Sequence, residues 1–125
     1  MNEGQKMINL TLHPATPEQI KARVIDLPPR ERQELIRRLM FYTIPTVKEL
    51  FVACDEITKL AVDSGHSSAM IGGDPALMEL LADSLRRSGI NPCYPFRARF
   101  STEVTEPDGT VVEAFQFKHI GWWPV

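Results

Sequence analysis

Residues 7–29 read MINLTLHPATPEQIKARVIDLPP, in which a strand, a polar turn, a short capped helix and a second strand follow one another. Met7 to Leu12 is a short apolar, β-prone run, and Val24 to Leu27 is another. Between them, Thr16-Pro17-Glu18-Gln19 has the residues of a helix start, since a hydroxyl caps free amides and proline suits the first helical position. This stretch therefore predicts two strands of one sheet joined by a helical crossover.

The alternation of strands and helices continues along the chain. Thr46-Val47-Lys48-Glu49 is a second capping-box sequence, and Gly65 is a residue type that commonly ends a helix. Glu106-Pro107-Asp108-Gly109 is a turn signal between two β-prone runs, which predicts a hairpin. The further predicted elements are an arginine-rich helix after Pro28-Pro29, a helix from Thr46 to Gly65, a strand at Ser67–Ile71, a helix between Pro75 and Gly89, and strands at Cys93–Val104 and Thr110–Ile120.

The order β-α-β-α-α-β-α-β-β predicts the fold class. We expect an α/β, Rossmann-like, doubly wound domain with a mainly parallel sheet and a C-terminal antiparallel β-hairpin. A chain of 125 residues with 43% hydrophobic content can bury one ordinary core. Residues 1–125 are therefore expected to form a single domain, with residues 1–6 as a flexible lead.

Composition argues against several partners and compartments. The net charge of −2 gives no long-range attraction for polyanions, so duplex nucleic acid is not an expected partner. Cys54 and Cys93 are the only cysteines, and the chain opens without the apolar core of a signal peptide, which predicts reduced thiols and a cytoplasmic location. No apolar run approaches the roughly 20 residues of a membrane helix, so no membrane association is expected.

The predicted sheet places a ligand crevice between two loops. In open parallel sheets, a ligand binds beyond the carboxyl ends of the strands, where neighbouring crossovers leave in opposite directions. If the first strand lies between the second and the third, this crevice joins residues 11–16 to residues 71–74. Each loop runs into a helix N-terminus, where free amides favour an anion.

The pair Gly72-Gly73 has two interpretations. It permits the positive φ and the close backbone approach of a phosphate cradle, although the sequence lacks the lysine of a P-loop. Alternatively, the segment is a tight strand-to-helix turn in which Asp74 caps the helix and Pro75 takes its first position. Because the Asp74 carboxylate would compete with a phosphate for the same amides, a ribose or a base edge suits this loop better.

His13 and two arginines are the candidate reactive or charge-binding side chains. Histidine titrates near neutral pH, so His13 can serve as a proton donor or anion ligand; alternatively, it is hydrogen-bonded within its turn. Arg97 and Arg99 share one face of the first hairpin strand, where they either grip phosphates or form a solvated surface. No histidines, cysteines or carboxylates have metal-ligand spacing, so no metal is predicted, and no dinucleotide fingerprint indicates another cofactor.

Aromatic side chains are concentrated near the C-terminus. Tyr94, Phe96 and Phe100 alternate along one face of the first hairpin strand. Trp122 and Trp123 are bulky and costly to leave in water, so they either cover the sheet or form a subunit contact. A homodimer is therefore expected.

Two stretches resemble a known family. INLTLHPATPEQIKARVIDLPP (8–29) resembles the opening of small CRISPR-associated Rossmann-fold proteins, which are single-domain relatives of the CARF superfamily. AMIGGDPALMELLADSLRRSGINPCYPF (69–96) is similar to their third strand, following helix and fourth strand, and the hairpin also fits. The order of the elements is alike over most of the chain, whereas few positions have identical residues. The layout is also similar to that of uncharacterised proteins of bacterial genomes and mobile elements.

The first resemblance implies a homodimer that binds a cyclic oligoadenylate or another small nucleotide. In some members the protein is a metal-independent ring nuclease of bacterial defence, which cleaves its ligand by in-line attack of a ribose 2′-hydroxyl. The second resemblance implies no activity. The alternative hypothesis is a non-enzymatic interaction module of a bacterial genome or mobile element, which docks a protein partner through its aromatic C-terminus and arginine-rich helix. On the first model the catalytic residues are His13 and Arg97, and the ligand-binding residues are Thr11, Thr16, Gly72, Gly73, Asp74 and Arg99.

Overall fold

A computed structural model of the chain describes residues 6–124, apart from the side chains of residues 116, 117 and 120. Within these residues the helices and strands follow the predicted order. The flexible lead predicted for residues 1–6 lies, except for Lys6, outside the described residues. The elements are β1 (Met7–Asn9), α1 (Pro17–Lys21), β2 (Val24–Asp26), α2 (Pro29–Leu39), α3 (Val47–Ser64), β3 (Ser68–Met70), α4 (Pro75–Arg87), β4 (Asn91–Thr105) and β5 (Val111–Pro124).

The strands form one sheet in the order β2-β1-β3-β4-β5. β1 is parallel to both β2 and β3, β3 is parallel to β4, and β5 is antiparallel to β4. The fold is therefore the predicted α/β, Rossmann-like layout, with a mainly parallel sheet and a C-terminal antiparallel hairpin. The condition for a crevice between the first and third strands is met, because β1 lies between β2 and β3.

The first parallel strand is shorter than predicted, since β1 ends at Asn9 rather than at Leu12. The cause is a polar side chain within the apolar run. Asn9 Oδ1 accepts hydrogen bonds from the backbone amide of Thr11 at 2.8 Å and from its hydroxyl at 2.6 Å. A side-chain bond to the following backbone competes with strand pairing, so the chain turns away from the sheet at Thr11.

The two faces of the sheet are covered unequally. The larger core, which includes Ile8, Leu35 and Leu81, contains residues of α2, α3 and α4. The smaller core on the opposite face consists of Ala15, Val24 and Met70, against which Met7 and Trp122 pack. α1 has only five residues, so it leaves much of this second face to Trp122.

The C-terminal hairpin extends beyond the parallel strands. Cys93 pairs with Met70, the last residue of β3, whereas β4 continues to Thr105. We call residues 96–120 the arm. Because β4 runs parallel to β3, the arm projects past the carboxyl end of the parallel sheet.

The two tryptophans have different environments. Trp122 is half-buried against the smaller core, whereas Trp123 is 62% exposed and stacks on Phe96 with ring centroids 6.1 Å apart. Covering of the sheet is therefore confirmed for Trp122. For Trp123, the subunit contact stays a prediction.

Both predicted capping boxes are present. Thr16 accepts from the amide of Gln19, and Thr46 accepts from the amide of Glu49, while each N3 side chain bonds back to the cap backbone. Gly65 ends α3 in the left-handed conformation, with a φ of 75°. Local sequence signals therefore determine where these helices begin and end.

We expect Thr46→Ala to lower the free energy of unfolding by about 1 kcal/mol, because α3 would lose its side-chain cap. Urea denaturation measures this change. Thr43→Ala is the matched control, since Thr43 is exposed and precedes the helix. Equal effects of the two substitutions would contradict the capping role.

Candidate functional site

The candidate site lies where β1 and β3 end. After β1 the chain runs through α1 to β2, and after β3 it runs through α4 to β4. β2 and β4 lie on opposite sides of the β1–β3 pair, so the two connections leave in opposite directions. Crossovers that leave in opposite directions open a crevice at the carboxyl ends of the two strands. We call this region, formed by residues 10–16 and 71–74, the switch-point crevice.

Asn9 organises the first loop of the crevice through a buried polar network. Its side chain is fully buried, and Nδ2 donates to the carbonyl oxygen of His13 and to Asp26 Oδ1, both at 2.8 Å. Its Oδ1 accepts both hydrogen bonds from Thr11, and Asp26 Oδ1 also accepts from the amide of Ala15 at 3.0 Å. The four hydrogen-bonding positions of the Asn9 amide are thus occupied, which fixes the loop between β1 and α1.

The second loop approaches the first closely. A Cβ atom placed on Gly72 would lie 3.5 Å from Thr11 Cγ2, so the two loops lie close together at this point. Gly73 has a φ of 153°, a conformation that residues with a Cβ rarely adopt. Asp74 Oδ1 accepts from the amide of Ala76 at 2.9 Å, which confirms the capped-turn interpretation of this segment. The Asp74 carboxylate therefore already occupies the amide that an anion would need.

The predicted threonine ligands have structural roles in the crevice. The Thr11 hydroxyl bonds to Asn9 and lies 3.1 Å from the His13 carbonyl oxygen, and the Thr16 hydroxyl caps α1. The His13 side chain is exposed at the mouth of the loop, and its ring makes no hydrogen bond within the described residues. His13 thus remains accessible to a ligand, while its backbone is held in place.

Arg32 brings a cation to the same loop. It lies in the first turn of α2, and its Nη2 donates to the carbonyl oxygen of Leu12 at 2.9 Å. Its Nη1 is buried and has no hydrogen-bond partner within the described residues. The sequence placed Arg32 only among the arginines of an amphipathic helix, because helical periodicity does not tell which way a long side chain extends.

A second cluster lies at the start of the arm. Arg97 is the cross-strand partner of His119, and the backbone amide of His119 donates to Glu18 Oε2 at 3.1 Å. The His119 ring lies 4.6 Å from the Trp122 ring, between centroids, and its Nδ1 is buried without a hydrogen-bond partner within the described residues. The structure thus joins Arg97 to His119, and no hydrogen bond or ring contact joins Arg97 to His13 within residues 6–124.

The environment of His119 favours its neutral form. Burial lowers the pKa of the imidazole, the Glu18 carboxylate raises it, and the Arg97 guanidinium lowers it further. The net direction is downward, so a larger fraction of His119 is unprotonated at neutral pH. A neutral imidazole with an unpartnered nitrogen is able to accept a proton.

The remaining predicted cation lies farther along the arm. The Arg99 guanidinium carbon is 4.4 Å from the centroid of the Phe115 ring, a cation–π contact. Arg99 shares a face of the arm with Arg97, as predicted, but it is two residues farther from the crevice. Its predicted role in ligand binding remains a prediction.

Other groups contribute little reactivity to the described chain. Burial raises the pKa of both the Cys54 and the Cys93 thiols, so both are poor nucleophiles near neutral pH. Across residues 6–124, no group of three or more histidine, cysteine or carboxylate side chains is placed to hold a metal ion. In the same part of the chain, no helix has the length and apolar character needed to cross a membrane.

The fold and the crevice define the class of protein, which is a small Rossmann-like α/β protein whose candidate site lies at the switch point of its sheet. Residues 5–123 match the family described as "Uncharacterized protein MJ1673 family", and the chain belongs to this family. No curated protein and no solved structure matches the chain.

We expect Asn9→Ala to lower the free energy of unfolding by about 2–4 kcal/mol, because it leaves several buried polar groups without partners. Urea denaturation measures this loss, and hydrogen exchange should quicken at the amides of Thr11 and Ala15. Asn91→Ala is the control, since Asn91 is exposed. A change below about 0.5 kcal/mol for Asn9→Ala would contradict the organising role of the network.

The pKa of His119 should lie below the ordinary histidine value of about 6.5. As the pH falls below that value, the unfolded chain binds a proton that folded His119 does not, so stability decreases. NMR titration should place the midpoint of His119 below 6.5, with Glu18→Gln lowering it and Arg97→Gln raising it. A midpoint above 6.5, or shifts of the opposite sign, would contradict this assignment.

Proposed function

We propose that the protein binds a cyclic oligoadenylate, or a related small nucleotide, in the switch-point crevice, and that it acts in bacterial defence. The observation that supports this proposal most strongly is the preorganised loop after β1, which Asn9 and Asp26 hold in a fixed conformation at the switch point. Preorganised loops at this position are where open α/β sheets bind nucleotides.

The polar groups of the crevice suit a nucleotide better than a free phosphate. Asp74 caps α4, and its carboxylate opposes a dense negative charge there but can accept hydrogen bonds from a ribose or a base edge. Arg32 supplies a cation beside the first loop, and Arg97 supplies another at the start of the arm. An oligonucleotide with separated phosphates fits separated cations, and Gly72 and Gly73 allow the ligand to approach the backbone closely.

The proposal includes metal-independent cleavage of the bound ring. The ribose 2′-oxygen attacks the adjacent phosphorus, the bond from phosphorus to the 5′-oxygen breaks, and a 2′,3′-cyclic phosphate and a 5′-hydroxyl form. A base must take the 2′-hydroxyl proton, and a donor must protonate the leaving oxygen. Two histidines are candidates for proton transfer: neutral His119 beside Arg97, and exposed His13 in the first loop. Arg97 would stabilise the charge that develops on the phosphate.

A non-enzymatic interaction module is the second candidate function. The exposed Trp123, stacked on Phe96, favours it, because exposed aromatic surface commonly marks a contact with another macromolecule. On this hypothesis the crevice is only the structural end of the sheet. The two candidates predict opposite results in a ligand screen.

A thermal-shift screen against cyclic tetra- and hexa-adenylate, linear oligoadenylates and mononucleotides tests binding. A ligand at a hundred times its dissociation constant should add about 2.7 kcal/mol to the free energy of unfolding. We expect selective stabilisation by a cyclic oligoadenylate, reduced in Arg32→Ala and retained in Arg30→Ala, an exposed arginine of the same helix. Absence of any shift would overturn the nucleotide proposal and favour the interaction module.

Product analysis in the presence of EDTA tests cleavage separately. We expect turnover to persist in the chelator and to fall about 100-fold or more in Arg97→Ala. A comparable fall in His119→Ala but not in His13→Ala would assign proton transfer to His119, and the reverse result would assign it to His13. Tight binding without turnover would contradict the cleavage step and leave the binding proposal standing.

A further inference from the structure

The arm separates its charges along its length. We define its base as residues 96–101 and 115–120, and its tip as residues 102–114. The base contains basic residues and no acidic residue, and the tip contains acidic residues and no basic residue. The charged residues are Arg97, Arg99 and Lys118 in the base, and Glu103, Glu106, Asp108 and Glu113 in the tip.

Apolar side chains along the arm are exposed. Two-stranded hairpins are at best marginally stable in water without packing against another surface. Large apolar side chains are exposed on both faces of this arm. The exposed members are Phe96, Phe100, Val104, Val111, Val112 and Phe115.

The arm also has an available strand edge. Among the described residues β5 is the last strand of the sheet, so no strand of residues 6–124 pairs with its outer side. The amide of His119 is already bonded to Glu18, whereas residues 111–118 lie farther out along the same edge. An unpaired edge of this length is a template for a further strand.

The tip contains a pair of like charges that the isolated chain does not neutralise. Glu103 and Glu113 are directly opposite each other on β4 and β5, an arrangement that destabilises a hairpin. No ion pair involves either residue within the described chain. A cationic surface brought to the tip would remove this repulsion.

We propose that the arm pairs with the arm of a second copy of this chain, edge to edge and antiparallel, about a two-fold axis. In this arrangement the acidic tip of each copy lies against the basic base of the other, so this favourable contact occurs twice. Parallel pairing would instead place base against base and tip against tip. The charge pattern is therefore complementary to itself only in the antiparallel orientation. In this pairing the exposed Val111, Val112 and Phe115 of each β5 also gain cross-strand neighbours on the other copy.

Charge reversal tests this pairing without knowledge of the exact register. A tip-reversed variant has Glu103→Lys, Glu106→Lys and Glu113→Lys, and a base-reversed variant has Arg99→Glu and Lys118→Glu. Light scattering coupled to size-exclusion chromatography should show a dimer for the original chain and monomers for each variant alone. An equimolar mixture of the two variants should form a heterodimer, because each tip then meets an oppositely charged base.

The control carries Asp55→Lys, Glu56→Lys and Glu79→Lys, which make the same change in net charge on exposed helical positions. We expect this control to remain dimeric, with the apparent dissociation constant of the tip-reversed variant raised about tenfold or more above it. A monomeric original chain, equal dissociation of the control, or a mixture that stays monomeric would each overturn the inference. Assembly is measured without nucleotide, so its failure is distinct from failure of the proposed ligand.

Discussion

The fold and the candidate site both depend on one buried amide. Asn9 lies at the end of β1, an internal strand of the sheet, with no access to water, so each of its donors and acceptors must find a partner within the protein. The partners available are Asp26 on the adjacent strand and the loop that follows β1. Satisfying the amide therefore ends the strand, joins β1 to β2 beyond their backbone pairing, and sets the shape of the crevice at once.

The unequal coverage of the sheet explains why polar and aromatic groups collect around the arm. Three helices bury one face in a continuous core, whereas the five-residue α1 covers only part of the other. Trp122 completes that smaller core from β5, and this contact places His119 beside Glu18. The same packing that closes the second face thus creates the cluster of Arg97 and His119.

The sequence predicted the features that local patterns control. The capping boxes of Thr16 and Thr46, the left-handed Gly65 and the cap at Asp74 all follow from short-range chemistry, and all are present. The order of the elements followed from the alternation of periodicities. Strand length at β1 was overestimated, because an asparagine within an apolar run was counted as part of the strand rather than as its end. A polar residue within such a run is a signal that could have marked Asn9 as the end of β1.

Residues that depend on tertiary placement could not be found in the same way. His119 faces Arg97 only because of the hairpin register and its bulge near Phe96, which no local pattern specifies. Arg32 reaches Leu12 because of its side-chain conformation. The most direct measurement of the central proposal is NMR mapping of the isotope-labelled protein titrated with cyclic tetra-adenylate and, separately, with cyclic hexa-adenylate. We expect the largest shifts at the amides of residues 11–13, 15–16 and 71–74 for one of these ligands; no saturable shifts with either, or shifts confined to surfaces away from both loops, would contradict nucleotide binding in the crevice.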